Sequence, residues 1–299
     1  MATGPALARD DQARHQDRPP RQPPHRHPHR AAAHGGAGPG SAGSVVTAKV
    51  AIWDFDGTLG HRRRGTWAEC LLEVLDTQQP GHGWAFPEMF EALATGFPWH
   101  AAQDPHPHLN EPDAWWDHIT AVVAEALTRL GTAGPQAAAA ATRAAYTDPA
   151  AWSLYPQALR VLDRLTAQGW QHVLLSNHVP ELPTLLAALG IDNRFRAVIN
   201  SAASGYEKPH PEAFRLAREA AGPARLVMIG DNPRADAAGA RRAGIDAIWV
   251  RRNQHTDTPD LDAAAGILLT STPTRDWRHP ALHEVPPLEA TAPGALPIR

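Results

Sequence analysis

The stretch that most constrains this chain runs from Lys49 to Leu59, K-V-A-I-W-D-F-D-G-T-L. Val50 to Trp53, with Phe55 beyond, are apolar and β-favouring without polar alternation, the pattern of a strand buried on both faces. Asp54 and Asp56 stand where that strand should end, and Gly57-Thr58 break the pattern. In an open parallel sheet, ligands bind outside the carboxyl ends of the strands. Residues two apart on an extended segment point the same way, so both carboxylates can face one reacting centre, one as nucleophile and the other as proton donor. A strand-end turn followed by a helix cap would account for the same two acids without any chemistry.

The rest of the chain indicates what kind of sheet this strand belongs to. Residues 1–47 are an Arg-, His-, Pro-, Ala- and Gly-rich leader with almost no large apolar side chain. They are expected to be disordered and contain no apolar core of a secretory signal. Within them His25-Arg26-His27-Pro28-His29 reads as a solvated tract rather than a metal site. From Gly60 to about Ala151 the pattern is helical: Trp67, Leu71, Leu72, Val74 and Leu75 recur at helical spacing, as do Trp115, Ile119, Val122, Val123, Leu127 and Leu130, the latter set closed by Gly131. Pro135 opens an alanine-rich helix toward Tyr146.

From Pro156 helices and strands alternate, with strands expected at 171–175, 197–200, 225–229 and 247–250. This predicts an α/β fold with a doubly wound parallel sheet. Its core domain would comprise 48–60 and 151–270, with an inserted α-helical domain over 61–150 and a flexible tail over 271–299. The single cysteine, Cys70, excludes an intrachain disulfide and fits a reducing, cytoplasmic setting. No apolar run reaches the roughly 20 residues of a membrane span. The formal net charge of -3 gives no reason to expect nucleic acid or a membrane as partner.

Three further strand or helix boundaries carry chemistry. Ser176-Asn177 closes the second sheet strand with a hydroxyl and an amide, both suited to phosphate oxygens. Lys208, in E-K-P-H-P, is one of only two lysines among 28 basic residues, the other being Lys49. In so arginine-heavy a chain, a lysine invites a chemical explanation, and its compact charge suits phosphate. Asp231 ends the next strand, and Asp236 falls in the first turn or so of the helix after it. Four acids at two strand ends suggest a hard-cation site, because Mg²⁺ takes oxygen ligands and keeps several waters.

D-F-D-G-T at 54–58, S-N at 176–177, K-P at 208–209 and G-D-x-x-x-x-D at 230–236 resemble, in order, the four motifs of the haloacid dehalogenase superfamily. The resemblance covers about residues 48–252, and the helical insert looks like the cap of that superfamily's first subclass. It implies a Mg²⁺-dependent phosphatase acting on a small phosphorylated metabolite. Asp54 would be the nucleophile. Asp56 would be the general acid and then base. Ser176, Asn177 and Lys208 would hold phosphoryl oxygens, and the metal would be bound by Asp54, the Asp56 carbonyl, Asp231 and Asp236.

Members that are dehalogenases lack the second acid, which is present here as Asp56. A phosphonatase would need a lysine in the insert, which has none. A phosphomutase with the same aspartate pair, or a non-catalytic module retaining the fold, would share the motifs. Specificity is expected in the insert. Its candidates are Arg62, Arg63 and Arg64, read more simply as a solvated charge run, and the segment containing Trp99, His100, His106, His108, Trp115 and Trp116. One of the adjacent tryptophans is expected to pack inward and the other to face the cleft. Substrate identity and the choice between monomer and homodimer stay open at this level.

Overall fold

Val50 to Trp53 lie at the centre of the molecule. The computed structural model describes residues 48–250 and 260–270. β1 (Ala48–Trp53) is the middle of a five-stranded sheet and sends alternate side chains into two cores. Ala51 and Trp53 pack on one face, and Val50 and Ile52 on the other. Burial on both faces is the reason the run shows no polar alternation.

After β1 the chain forms β2 (Gly60–Arg62), α1 (Trp67–Gln78), α2 (Phe86–Ala92), α3 (Pro112–Arg129), α4 (Pro135–Thr147) and β3 (Trp152–Leu154). It continues through α5 (Ala158–Ala167), β4 (Trp170–Ser176), α6 (Leu182–Ala188), β5 (Ala197–Asn200), α7 (Ser201–Ser204), α8 (Pro211–Ala221) and β6 (Ala224–Gly230). A π-helical turn, Pro233–Ala238, then runs into α9 (Gly239–Arg242), followed by β7 (Asp246–Trp249) and α10 (Leu261–Thr270).

The sheet order is β5-β4-β1-β6-β7, all parallel. The chain therefore winds outward from β1 to one side and then returns to wind to the other, which leaves a crevice at the carboxyl end of β1. Trp53 aligns with Leu174 of β4 and with Ile229 of β6. This register brings the ends of three strands side by side.

The helical insert is as expected, with a difference at its base. β2 and β3 pair antiparallel, Gly60 opposite Leu154 and Arg62 opposite Trp152, as a two-stranded ribbon through which the chain leaves and rejoins the sheet. Three-residue strands so far apart in sequence leave no periodic trace. Within the insert, proline occupies the first turn of α3 and α4, where a missing N–H leaves no bond unmade. Trp67 of α1 stacks on Tyr146 of α4 at 4.1 Å. Among the described residues no helix is long and apolar enough to cross a membrane. The leader, with its histidine tract, and the tail after Thr270 lie outside the described residues.

Candidate active site

Three carboxylates and one ammonium meet where β1, β4 and β6 end. Asp54 follows the last residue of β1, and its N–H donates to the Ile229 carbonyl of β6 at 2.9 Å. Its Oδ1 accepts from Ser176 Oγ at 3.0 Å and from Lys208 Nζ at 2.7 Å. Lys208 Nζ also donates to Asp236 Oδ1 at 2.6 Å. Carboxylate oxygens of Asp54, Asp231 and Asp236 lie within 4.8 Å of one another, the one group among the described residues able to hold a metal ion.

Local structure explains why these side chains converge. Thr58, fully buried, accepts from the Asp231 N–H at 3.0 Å and lies 3.4 Å from both Asp54 Oδ2 and Asp231 Oδ1, so it fastens the first strand end to the third. Gly57 takes φ +86°, and a Cβ there would lie 2.4 Å from Asp231 Oδ2, so both conformation and space demand glycine. Gly230 meets a similar limit, since its Cβ would fall 2.2 Å from Asp236 Oδ2. Asn232 caps the π-helical turn by accepting from the N–H groups of Arg234 and Ala235, which turns Asp236 back toward the strand ends.

Lys208 is buried, and burial alone would lower its pKa. Asp236 and Asp54 outweigh that and hold it above the ordinary lysine value, so the ammonium is charged. Asp236 is pushed up to about 6, chiefly by burial, with Lys208 opposing and Asp54 adding to the shift. Three carboxylates against one ammonium leave two negative charges in a confined site. All the donors are hard oxygens, so the set fits a divalent ion of the magnesium type.

The expected residues are thus brought together, with one refinement. The Asn177 side chain is engaged with the Lys208 main chain, accepting from its N–H at 2.7 Å and donating to its carbonyl at 2.9 Å. In this arrangement its amide positions the lysine. Lys49, the other lysine, donates to the Gln168 carbonyl at the opposite end of the sheet and has a purely structural job.

Asp56 lines a cleft of about 370 Å³, part of it open to solvent, between the strand ends and the insert, with Trp67, Trp99, Tyr146, Asn177 and His178 around it. The three arginines considered for this cleft do not line it. Arg62 is not solvated: it is buried and ion-paired with Glu73, while Arg63 Nε donates to Ser153 Oγ at 2.6 Å on the β2–β3 ribbon and Arg64 is exposed. Trp115 packs inside the insert, whereas Trp116 Nε1 reaches across to donate to the Glu181 carboxylate at 2.9 Å. Arg143 of α4 grips the same carboxylate. Cys70 is a buried apolar contact, as expected, and burial pushes its thiol up to about 12.

The sequence reading passed over His178, Glu207, Tyr146 and Glu181. Only His178 offered a signal, as a histidine directly after the Ser-Asn strand end.

Three comparisons bear on this arrangement. The model of the haloacid dehalogenase-like hydrolases matches residues 48–244. A phosphoserine phosphatase of Thermus thermophilus is 37% identical over 142 residues, which cover 46% of this chain and 57% of that enzyme. The chain thus matches little more than half the length of that relative. The haloacid dehalogenase-like hydrolase domain-containing protein 3 of Bos taurus is 26% identical over 72% of this chain and 86% of its own length. Among solved structures, the magnesium-bound HAD-hydrolase YfnB of Bacillus subtilis superposes with a TM-score of 0.57 at 18% identity, covering 75% of this chain and 99% of that one, a likeness of fold.

Proposed function

This chain belongs to the haloacid dehalogenase-like hydrolases, and we propose that within that family it is a magnesium-dependent phosphatase of small phosphorylated metabolites, with the helical insert as its cap. The observation that carries this reading is the convergence of Asp54, Lys208 and the Asp231–Asp236 pair at the end of β1, with Asp56 two residues on at the mouth of the cleft. A dehalogenase has no use for the second acid. A phosphatase needs it to protonate the leaving group.

Asp54 attacks phosphorus through a carboxylate oxygen, and the bond from phosphorus to the ester oxygen breaks. That oxygen takes its proton from Asp56 and leaves as the alcohol. Asp56, now a carboxylate, takes a proton from water as the water oxygen attacks the aspartyl-phosphate, which releases phosphate and restores Asp54. Lys208 holds a phosphoryl oxygen and keeps Asp54 aimed, and Ser176 hydrogen-bonds the same carboxylate, so positioning and charge do most of the catalysis. Asp54, Asp231, Asp236 and the Asp56 carbonyl would hold Mg²⁺, which when bound offsets repulsion between the Asp54 carboxylate and the phosphate dianion. The insert excludes bulk water from the reacting centre.

The test is phosphate release from p-nitrophenyl phosphate by the full chain, with Mg²⁺ and with EDTA, beside Asp54→Asn. Release that needs both Mg²⁺ and Asp54 is the expected result. Equal rates for the two proteins, undiminished release in EDTA, or isomerisation of a sugar phosphate with little free phosphate would each refute the reading.

A further inference from the structure

Gly205 is a point at which the helical insert touches the loop that carries Lys208. It ends α7 at φ +76°, with its N–H donating to the Ser201 carbonyl at 2.8 Å. Its own carbonyl accepts from the His106 N–H of the insert at 2.7 Å. A Cβ on this residue would lie 2.9 Å from both the Cα and the N of Pro107 and 3.0 Å from the carbonyl carbon of His106. All three are main-chain atoms, which cannot give way as the end of a side chain can. A left-handed turn asks for glycine by itself, but it does not ask for the backbone of another segment to be seated on the open side. The seated segment is itself braced, with His106 Nε2 3.1 Å from the Pro98 carbonyl and Leu109 buried in the same apolar cluster as Ala202 of α7.

Only Tyr206 and Glu207 separate Gly205 from Lys208, a reach of about 10 Å at full extension, so the loop has little slack to absorb a displacement of Gly205. Both intervening residues are tied down. The Tyr206 N–H donates to Ser204 Oγ at 3.3 Å, and the buried Glu207 carboxyl hydrogen-bonds the Ser201 hydroxyl, which also accepts from the His178 N–H at 3.1 Å. On its other side the Lys208 main chain is held by the Asn177 amide. Four residues beyond Asn177, Glu181 is gripped by Trp116 and Arg143 of the insert. The two loops that meet in the Asn177–Lys208 pairing are thus each fastened to the insert.

We infer that Gly205 is a positioning residue: the insert, seated on it through His106 and Pro107, holds the loop that aims Lys208 at Asp54. The catalytic consequence rests on the phosphatase reading above. The insert then acts on the phosphoryl end of the reaction through the lysine loop, besides covering the site.

The test uses Gly205→Asn in the full chain. Asparagine tolerates the left-handed backbone, so the variant mainly adds the contact with Pro107. Gly190→Asn is its control, since Gly190 has φ +72° with nothing within 4 Å of its Cβ position. The chain has only two lysines, so acetylation by acetic anhydride, read by peptide mass spectrometry, reports Lys208 against Lys49 as an internal reference. The Lys208-to-Lys49 ratio is expected to rise by about tenfold in Gly205→Asn and to stay at the wild-type value in Gly190→Asn, while kcat for p-nitrophenyl phosphate with Mg²⁺ falls by about tenfold in the first alone. In a Lys208→Met background Gly205→Asn should cost almost nothing further, because the two changes act through one group. Leu109→Ala loosens the same seat from the insert side and should raise the labelling ratio too; it decides alone if Gly205→Asn does not fold. An unchanged ratio in the folded variant, an equal rise in Gly190→Asn, or a fall in kcat as large in the Lys208→Met background as in the wild type overturns this inference alone. Absence of phosphate release by the wild type overturns the phosphatase reading, and the labelling ratio still decides whether the insert holds the lysine loop.

Discussion

Lys208→Met removes the ammonium that touches Asp54 Oδ1 at 2.7 Å and Asp236 Oδ1 at 2.6 Å, and leaves an unbranched apolar chain in its place. All three side chains are buried. Taking one partner from a buried ion pair leaves uncompensated charge, at a cost of ~3–5 kcal/mol. For a chain of this size that corresponds to a fall in Tm of ~6–20 °C. Asp236, already pushed up to about 6 with the ammonium opposing the shift, rises further once it is gone. A carboxyl raised in the folded state binds a proton that the unfolded chain has released, so the variant loses stability as pH rises and its deficit is larger at pH 8 than at pH 5.5. Mg²⁺ should restore part of the loss, about 2.7 kcal/mol at a hundredfold excess over Kd, because the carboxylates then have a counter-charge. Turnover should stay down by ~10²–10³ even with Mg²⁺, as when a transition-state donor is lost. Thermal unfolding at both pH values, with EDTA and with Mg²⁺, reads all of this. A Tm in EDTA at pH 8 within about 2 °C of wild type would refute the charge-balance argument.

Gly57→Ala places a methyl where Asp231 Oδ2 lies 2.4 Å away, at φ +86°, so the metal requirement should rise by ~10–100-fold, read from Mg²⁺ titrations of activity, with the far-UV spectrum unchanged. His172 is pushed down to about 4 by burial, so between pH 6.5 and 4 the unfolded chain binds a proton that the folded chain does not. Stability then falls with falling pH by up to about 1.4 kcal/mol per pH unit, and His172→Gln should flatten that slope in urea melts. Glu207, pushed up to about 7 by burial with a Ser201 hydrogen bond and Lys208 opposing, behaves in the opposite sense. The folded chain keeps its proton up to about pH 7 while the unfolded chain releases it near 4.5, so stability falls as pH rises between these values, and Glu207→Gln should gain ~2–3 kcal/mol over wild type at pH 8 and little at pH 4.5. Glu181→Ala unfastens Trp116 and Arg143 from the sheet domain, and should raise KM on the order of tenfold with a smaller effect on kcat, as expected for a weakened closed arrangement.

The convergence of the carboxylates and the lysine was legible in the sequence because its geometry is strand geometry. Once Val50 to Trp53 is a doubly buried strand, parallel neighbours bring the ends of β4 and β6 alongside it, so that Ser176 and Asp231 each lie one residue past the position opposite Asp54, and the scarcity of lysine singles out Lys208. The other end was not legible, since it depends on packing between segments far apart in the chain. The β2–β3 ribbon is too short to show a period. Arg62 reads as one of three solvated arginines until Glu73 comes down on it from the second turn of α1. Asn177 reads as a phosphate ligand until the loop carrying Lys208 folds back to occupy its amide. His178 and Glu207 are single polar residues whose burial no local pattern announces.

That division has a consequence for how such a molecule can change its substrate. The site proposed for the phosphoryl group is fixed by β-sheet register, glycine contacts and a buried charge balance, each of which fails by kilocalories when one atom is misplaced. The cleft wall proposed to meet the leaving group includes aromatic residues of α1, α4 and the loop around Trp99, joined to the sheet domain by the β2–β3 ribbon and the grip on Glu181. On the proposed function, substitutions in that wall should alter which alcohol fits without moving Asp54, Lys208 or Asp231. Asp56, Asn177 and His178 are the exceptions, because they stand at the sheet's strand ends and also line the cleft. A change at any of them would also bear on the strand ends that carry Asp54 and Ser176, so they are less free to vary than the aromatic wall.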